Sequence, residues 1–176
     1  MTKITKGSSA IHFSKKDTFD KNIDLKNYEG QKIFISFFRK AACPFCNMRV
    51  QELIKRNEDF KKENIQIIAF FASSKEDILK YVGKQNPPFP IIADKDFKVY
   101  QKYGIDVSYN GMFKAMLNPK KALKAMFGGF FSLKTMAEDP VLPANFLIDE
   151  NQNIHKVYYG SDYDDHLPIS EILAWK

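Results

Sequence analysis

Phe37-Phe38-Arg39-Lys40-Ala41-Ala42-Cys43-Pro44-Phe45-Cys46 is the stretch on which the reading of this chain turns. It holds the only 2 cysteines among 176 residues. An apolar run over residues 33–38 leads into them and predicts a strand, and a helical pattern with a proline near its start follows. A thiol is inert until it becomes a thiolate. A helix N-terminus supplies free N–H groups and a partial positive charge that stabilise the anion. Cys43 reads as the N-cap or a first-turn residue, with Pro44 near the first helical position, where a missing N–H costs nothing. Cys46 then falls within the first turn, close enough to attack a mixed disulfide on Cys43. The pattern describes a redox dithiol.

Two buried free cysteines or half of a zinc site would give the same spacing. Zinc needs two further ligands, and the 3 histidines, His12, His155 and His166, are scattered without a second close pair. No metal and no cofactor is expected.

Composition sets the frame. The length of 176 residues suits one domain, long enough to bury about 70% of the surface of its unfolded chain. A hydrophobic content of 44% with 16 phenylalanines excludes disorder. No apolar run approaches the roughly 20 residues that span a bilayer, so stable membrane insertion is not expected. Residues 1–19 are polar and lysine-bearing without an apolar centre, which is not a secretory signal. The expected location is the cytoplasm, where a dithiol is held reduced and is more often catalytic than structural. The net charge of +6 comes mostly from dispersed lysines. No compact Arg-rich run or interleaved aromatic–basic motif points to nucleic acid, and the lysines read as a solvated surface.

The chain contains no internal repeat or low-complexity tract. After a loose N-terminal arm over 1–29, residues 31–38 predict a buried strand, its apolar run too continuous for a surface strand. Residues 44–61 predict a helix with Val50, Leu53, Ile54 and Phe60 near one face, and residues 65–71 a second buried strand. Ser73-Ser74-Lys75-Glu76 has the form of a capping box opening a helix that ends near Gly83. A turn at Asn86-Pro87-Pro88, a short strand over 89–93 and a helix over 96–103 follow. Strand–helix alternation implies parallel strands with right-handed crossovers. Residues 144–148 and 154–159 then predict a hairpin around a polar turn, and residues 168–175 a closing helix.

This arrangement, with three stretches of sequence, resembles the thioredoxin-like superfamily and, within it, the peroxiredoxin-like (alkyl hydroperoxide reductase/thiol-specific antioxidant) group. The stretches are the dithiol run quoted above, Phe89-Pro90-Ile91-Ile92-Ala93-Asp94 leading to Tyr103-Gly104-Ile105, and Asn145-Phe146-Leu147-Ile148-Asp149. The resemblance covers about residues 30–175 and implies an α/β fold with a central mixed sheet flanked by helices. It would make the chain a single domain over 1–176, with residues 105–142 as a helical insertion before the strand that follows Pro143.

Two departures from the group bear on the reaction. Peroxiredoxins carry Thr or Ser three residues before the peroxidatic cysteine; if Cys46 matches that nucleophile, the position holds Cys43. Peroxiredoxins also place an arginine just before the strand resembling 145–148, where this chain has Pro143. The thioredoxin side of the superfamily has its substrate-facing cis-proline there, and a cis bond is expected at Pro143. After Arg56 no arginine remains, so only Arg39 or Arg49 could take the missing role. The resemblance thus implies thiol–disulfide exchange, with Cys43, more exposed, as nucleophile and Cys46, deeper, as resolving thiol. Pro44 and Phe45 would tune the potential, Arg39 and Lys40 would lower the Cys43 pKa, and Pro143 would orient substrate. The loop after Tyr159 should end near the dithiol, where His166 either shuttles protons or, the preferred reading, merely precedes the helix cap at Pro168.

A thiol peroxidase reducing hydroperoxides is the alternative enzyme. A redox-sensing or binding module that uses the Met/Phe-rich insertion is the alternative without catalysis. The implied partners are a disulfide or hydroperoxide substrate and a thiol electron donor of thioredoxin or glutathione type; assembly into an oligomer is left open.

Overall fold

The computed structural model describes residues 3–105 and 141–175. The expected insertion therefore lies almost wholly outside the described residues. Around the dithiol stretch the chain forms β3 (Lys32–Phe38), preceded by β1 (Ser14–Lys16) and β2 (Asn22–Asp24). Then come α1 (Pro44–Lys55), α2 (Asn57–Lys62), β4 (Ile65–Phe71), α3 (Lys75–Lys80), β5 (Ile91–Ala93) and α4 (Lys98–Lys102). After residue 140 follow β6 (Ala144–Ile148), β7 (Ile154–Tyr159) and α5 (Ile169–Leu173).

The sheet has 5 strands in the order β5-β4-β3-β6-β7. β3 runs parallel to β4 and β4 to β5, while β6 is antiparallel to β3 and β7 to β6. β3 is thus central and covered on both faces, so its near-continuous apolar sequence is what this position requires. Phe34 and Phe38 face α1, α2 and α5, in one cluster with Cys43, Cys46, Leu53, Phe60 and Ile172. Ile33, Ile35 and Phe37 face the other way, toward α4 and the N-terminal segment. The alternating geometry of a strand produces these two cores from one sequence.

Several expectations need correction. The N-terminal arm is not loose. β1 and β2 pair, Ile23 and Leu25 are buried, and the Phe13 ring meets Phe70 edge-on at 5.0 Å. The expected single helix over 44–61 is broken at Arg56, which adopts φ −102°, ψ 6°. The bend lets Asn57 and Phe60 both turn inward, and the Phe60 ring stacks on Phe34 at 6.0 Å. The capping box sits one residue later than read. Ser74 is the N-cap and accepts from the Asp77 N–H at 3.2 Å. β5 starts only at Ile91, because Pro90 has no N–H for the ladder, although its carbonyl accepts from Ala69 N. α4 starts at Lys98 because Phe97 is left-handed, φ 58°, and the buried Asp94 carboxylate takes the cap, accepting from Val99 N at 2.7 Å. Among the described residues, no helix is long and apolar enough to cross a membrane.

Candidate functional site

The site is built where β3 ends. Its chain passes Arg39 and Lys40, turns with Cys43 N donating to the Lys40 carbonyl, and enters α1 with Cys43 as N-cap and Pro44 at the first helical position. The turn is held by side chains far apart in sequence. Asn47, one helical turn beyond Cys43, donates through Nδ2 to the carbonyls of Ala41 at 2.6 Å and Cys43 at 2.9 Å. Its Oδ1 accepts from Gln85 Nε2 at 3.0 Å. Ser73, freed from the helix cap, accepts from Ala41 N at 3.0 Å. Ala72 N donates to the Arg39 carbonyl. Burial leaves these backbone groups no water, so each protein partner adds to the rigidity of the turn.

Both cysteines are reduced and buried, Cys43 at 1% and Cys46 at 2% exposure, so the expectation that Cys43 is the more exposed is not met. Their difference is electrostatic. The Cys46 thiol hydrogen-bonds the Cys43 sulfur, and the backbone N–H groups of Cys46 and Phe45 and the Arg39 charge add to it. Together they outweigh burial and hold Cys43 down at about 6. Cys46 is pushed well above the usual thiol range, first by burial and then by its neighbour Cys43. At pH 7 Cys43 is thus mostly thiolate with Cys46 as its hydrogen-bond donor, and the anion is lost as pH falls through about 6. Alkylation of Cys43 by iodoacetamide should accordingly rise with a midpoint near pH 6. Cys46 should stay unmodified through pH 8; peptide mass spectrometry reads both, and a Cys43 midpoint at 8 or above would contradict this environment.

Three further segments close around the pair. Arg39 is only 2% exposed, its guanidinium 4.3 Å from the centre of the Tyr163 ring. Arg49, on α1, donates to the Leu167 carbonyl at 2.6 Å and to Glu52 at 3.3 Å. Leu167 N donates to Asn145 Oδ1 on β6, and Asn145 Nδ2 donates to Ser36 on β3. Loop 160–167 is therefore pinned between helix and sheet beside the dithiol, as the strand directions require. Asp165 ties the loop to itself and to β7, accepting from Ser161 N, Ser161 Oγ and the Tyr158 hydroxyl. Gly160 is obligatory here, because a Cβ would lie 2.3 Å from the Asp165 carbonyl oxygen and 3.0 Å from Pro143.

Pro143 stands at the same end of the sheet, since β6 pairs Ala144 with Phe37. Its peptide bond is trans, against the expected cis form. Trans is the intrinsically favoured isomer, and the Pro143 carbonyl accepts from Gly160 N at 2.8 Å, extending the β6–β7 ladder. His166 caps no helix; Pro168 is the N-cap of α5. The His166 ring lies 5.2 Å from that of Phe38, and burial followed by the Arg49 charge presses its pKa to about 3. Burial thus favours the neutral ring and makes it a weaker base than a free imidazole. His12 pairs with Asp24 and His155 stacks on Trp175, both away from the cysteines. Among the described residues, no group of three or more His, Cys, Asp or Glu is placed to hold a metal.

Sequence reasoning thus located Cys43, Cys46, Pro44, Phe45, Arg39, Arg49, His166 and Pro143 at one end of the sheet but missed Asn47, Ser73, Asn145 and Tyr163. Asn145 had a signal, an amide inside the apolar strand Ala-Asn-Phe-Leu-Ile, where a buried polar group must find partners. Tyr163 had only its place in the loop after Tyr159, with nothing to single it out among three tyrosines within six residues.

A parallel three-strand unit joined to an antiparallel hairpin, with a dithiol at the N-terminus of the helix after the central strand, defines a thioredoxin-fold thiol protein. The chain belongs to the AhpC/TSA family, whose match runs over residues 6–157. It is 30% identical over 100 residues to the thiol-disulfide oxidoreductase ResA of Halalkalibacterium halodurans, covering 56% of either chain. It is 23% identical over 105 residues to the peroxiredoxin Bcp of Escherichia coli, covering 60% of this chain and 67% of that one. The chain thus spans little more than half of the first relative's length. In fold it is similar to a cysteine-to-serine mutant of PrxQ from Xylella fastidiosa, with TM-score 0.72 at 15% identity over 98% of this chain and 95% of that one. It is likewise similar to peroxidoxin BcpB from Mycobacterium tuberculosis, with TM-score 0.71 at 14% identity over 97% and 95% of the two chains.

Proposed function

We propose that this chain is a thiol–disulfide oxidoreductase in which Cys43 is the nucleophile and Cys46 the resolving thiol. The observation that carries the reading is the opposed environment of the two sulfurs, Cys43 stabilised as thiolate at the helix N-terminus and Cys46 held as thiol behind it. The Cys43 thiolate attacks one sulfur of a substrate disulfide; a new S–S bond forms, and the other half leaves as thiolate and takes up a proton. Cys46 then loses its proton and attacks Cys43 Sγ, releasing the second half as thiol. Two electrons have passed to the substrate and a Cys43–Cys46 disulfide remains, which a thiol donor of thioredoxin or glutathione type reduces again. Arg39 stabilises the thiolate, Pro44 and Phe45 shape the turn, and Pro143 borders the approach of substrate. Arg49 acts through Leu167 by fixing loop 160–167, and His166 packs that loop on Phe38. The cytoplasm, a reducing compartment, suits the dithiol resting state.

Family membership and the buried Arg39 beside Cys43 favour a second reading, reduction of hydroperoxides. There one cysteine attacks the O–O bond, an alcohol or water leaves, and the resulting sulfenic acid condenses with the other cysteine, releasing water. Stoichiometrically reduced protein mixed separately with hydrogen peroxide and with a small disulfide separates the two. The expected result is peroxide consumption no faster than a free thiol of matched pKa and disulfide exchange well above it. Peroxide consumption orders of magnitude above the free thiol would instead establish the peroxidase.

A further inference from the structure

Buried polar atoms are nearly always hydrogen-bonded, and an exception marks strain or function. Among the described residues, one exception, Gln152 Nε2, lies in the β6–β7 turn at the far end of the sheet, but several lie around the dithiol, among them the Tyr163 hydroxyl, Arg49 Nε and both ring nitrogens of His166. Tyr163 stands out among the tyrosines. The hydroxyls of Tyr100, Tyr103, Tyr158 and Tyr159 donate to Phe38 and Phe70, to Ile11, to Asp165 and to Tyr103 respectively. Tyr163, at 1% exposure, is as enclosed as Tyr100 and Tyr103 and more so than Tyr158 and Tyr159, yet its hydroxyl meets no partner, the Cys43 sulfur included. Its ring belongs to the same packed cluster as Phe38, Cys43, Phe45 and Cys46, and the Arg39 guanidinium lies against its face at 4.3 Å. An unbonded buried hydroxyl lowers stability, so phenylalanine would serve the fold better at this position.

We propose that the Tyr163 hydroxyl is the hydrogen-bond donor that receives the thiolate leaving when Cys43 attacks a substrate disulfide. The proposal rests on the disulfide-exchange reading above. In that step the bond from Cys43 Sγ to the near substrate sulfur forms, the substrate S–S bond breaks, and its electron pair goes to the far sulfur. Charge developing on that atom within an apolar site is costly unless a fixed donor meets it. The N–H groups of Phe45 and Cys46 already serve Cys43, so the departing sulfur needs another donor. Arg39 holds the ring in place and draws electron density from the phenol, making the hydroxyl a stronger donor. The phenol keeps its proton, because burial raises its pKa, and the departing thiolate is protonated from solvent.

The test is Tyr163→Phe assayed in single turnover against two disulfides. Bis(2-hydroxyethyl) disulfide releases a basic alkyl thiolate that needs a donor. 5,5′-Dithiobis(2-nitrobenzoate) releases a delocalised aryl thiolate that leaves unaided. The variant should slow the alkyl reaction by about 10- to 100-fold and the aryl reaction by less than about 3-fold. The Cys43 alkylation midpoint should not move, and the melting temperature should be unchanged or higher. Tyr158→Phe, which removes a hydroxyl already engaged with Asp165, should change both rates by one common factor. Equal slowing of the two disulfides by Tyr163→Phe, or no slowing, overturns the proposal while leaving disulfide exchange intact. A wild-type protein that exchanges with neither disulfide faster than a free thiol overturns both.

Discussion

Cys46→Ser is expected to bring turnover to a halt with the substrate still attached. Cys43 can attack a disulfide in this variant, but the second displacement has no thiol, so a mixed disulfide on Cys43 accumulates to one equivalent. A serine hydroxyl can still donate to the Cys43 sulfur, and the Phe45 backbone N–H and Arg39 also remain, so the nucleophile should stay activated. Cys43→Ser removes the nucleophile itself and should lower exchange by on the order of 10⁴-fold or more, the scale on which deleting an attacking group acts. Nonreducing electrophoresis and intact mass, followed by peptide mapping, read both variants. An adduct found on Cys46 in Cys43→Ser, with turnover retained, would reverse the roles. The buried position of Cys46 and the upward push on its pKa make that the disfavoured direction.

The largest expected change in stability is that of Phe37→Ala, at about 3–5 kcal/mol. Phe37 lies on the central strand, fully buried, on the face away from the dithiol. Its ring stacks on Phe70 at 4.9 Å and meets Tyr100, Tyr103 and Phe146 at 4.9, 5.1 and 5.7 Å. Neighbours fixed by their own strands and hydrogen bonds cannot collapse into the gap, so both transfer and cavity costs apply. Against a total of roughly 5–15 kcal/mol for a domain, the variant should remain folded only marginally. Urea unfolding should show a much lower midpoint with an unchanged slope. A loss below about 1 kcal/mol would mean that this half of the core is not packed as described.

Much of this architecture was legible in the residues, and the reasons are local. A run such as Ile33 to Phe38, apolar on both faces, fits only a strand covered on both sides. Cys43-Pro44 reads as a helix start because proline tolerates only a few helical positions and the first turn is one of them. The Asp149–Asn153 turn between two short apolar runs reads as a hairpin, and it is one, with the Asp149 carboxylate accepting from Asn151 and Asn153 N–H groups. The misreadings have a common cause as well. Ser73 and Ser74 are equally good caps in isolation; Ala41, 32 residues away in sequence, takes one of them and leaves the other to the helix. The N-terminal arm looked polar and loose because its few apolar residues, Phe13, Ile23 and Leu25, matter only once the surface formed by Phe70 and Ile35 exists. Pro143 could have been cis or trans by its own energetics, and the ladder to Gly160 accompanies the trans form.

By itself the sequence determined that a dithiol sits at the start of a helix after a buried strand, because capping, proline placement and apolar runs act over a few residues. Tertiary structure decided which thiol is activated and what surrounds it. The asymmetry of Cys43 and Cys46 arises from burial, from Arg39, and from backbone N–H groups whose directions exist only once the turn is clamped by Asn47, Ser73 and Gln85. Tyr163 reaches the site from the far end of the chain because β7 returns antiparallel and Asn145 and Arg49 grip Leu167 from two sides. The Arg49–Leu167 bond joins residues 118 positions apart. The energy of such contacts depends on a geometry that no short stretch of sequence carries.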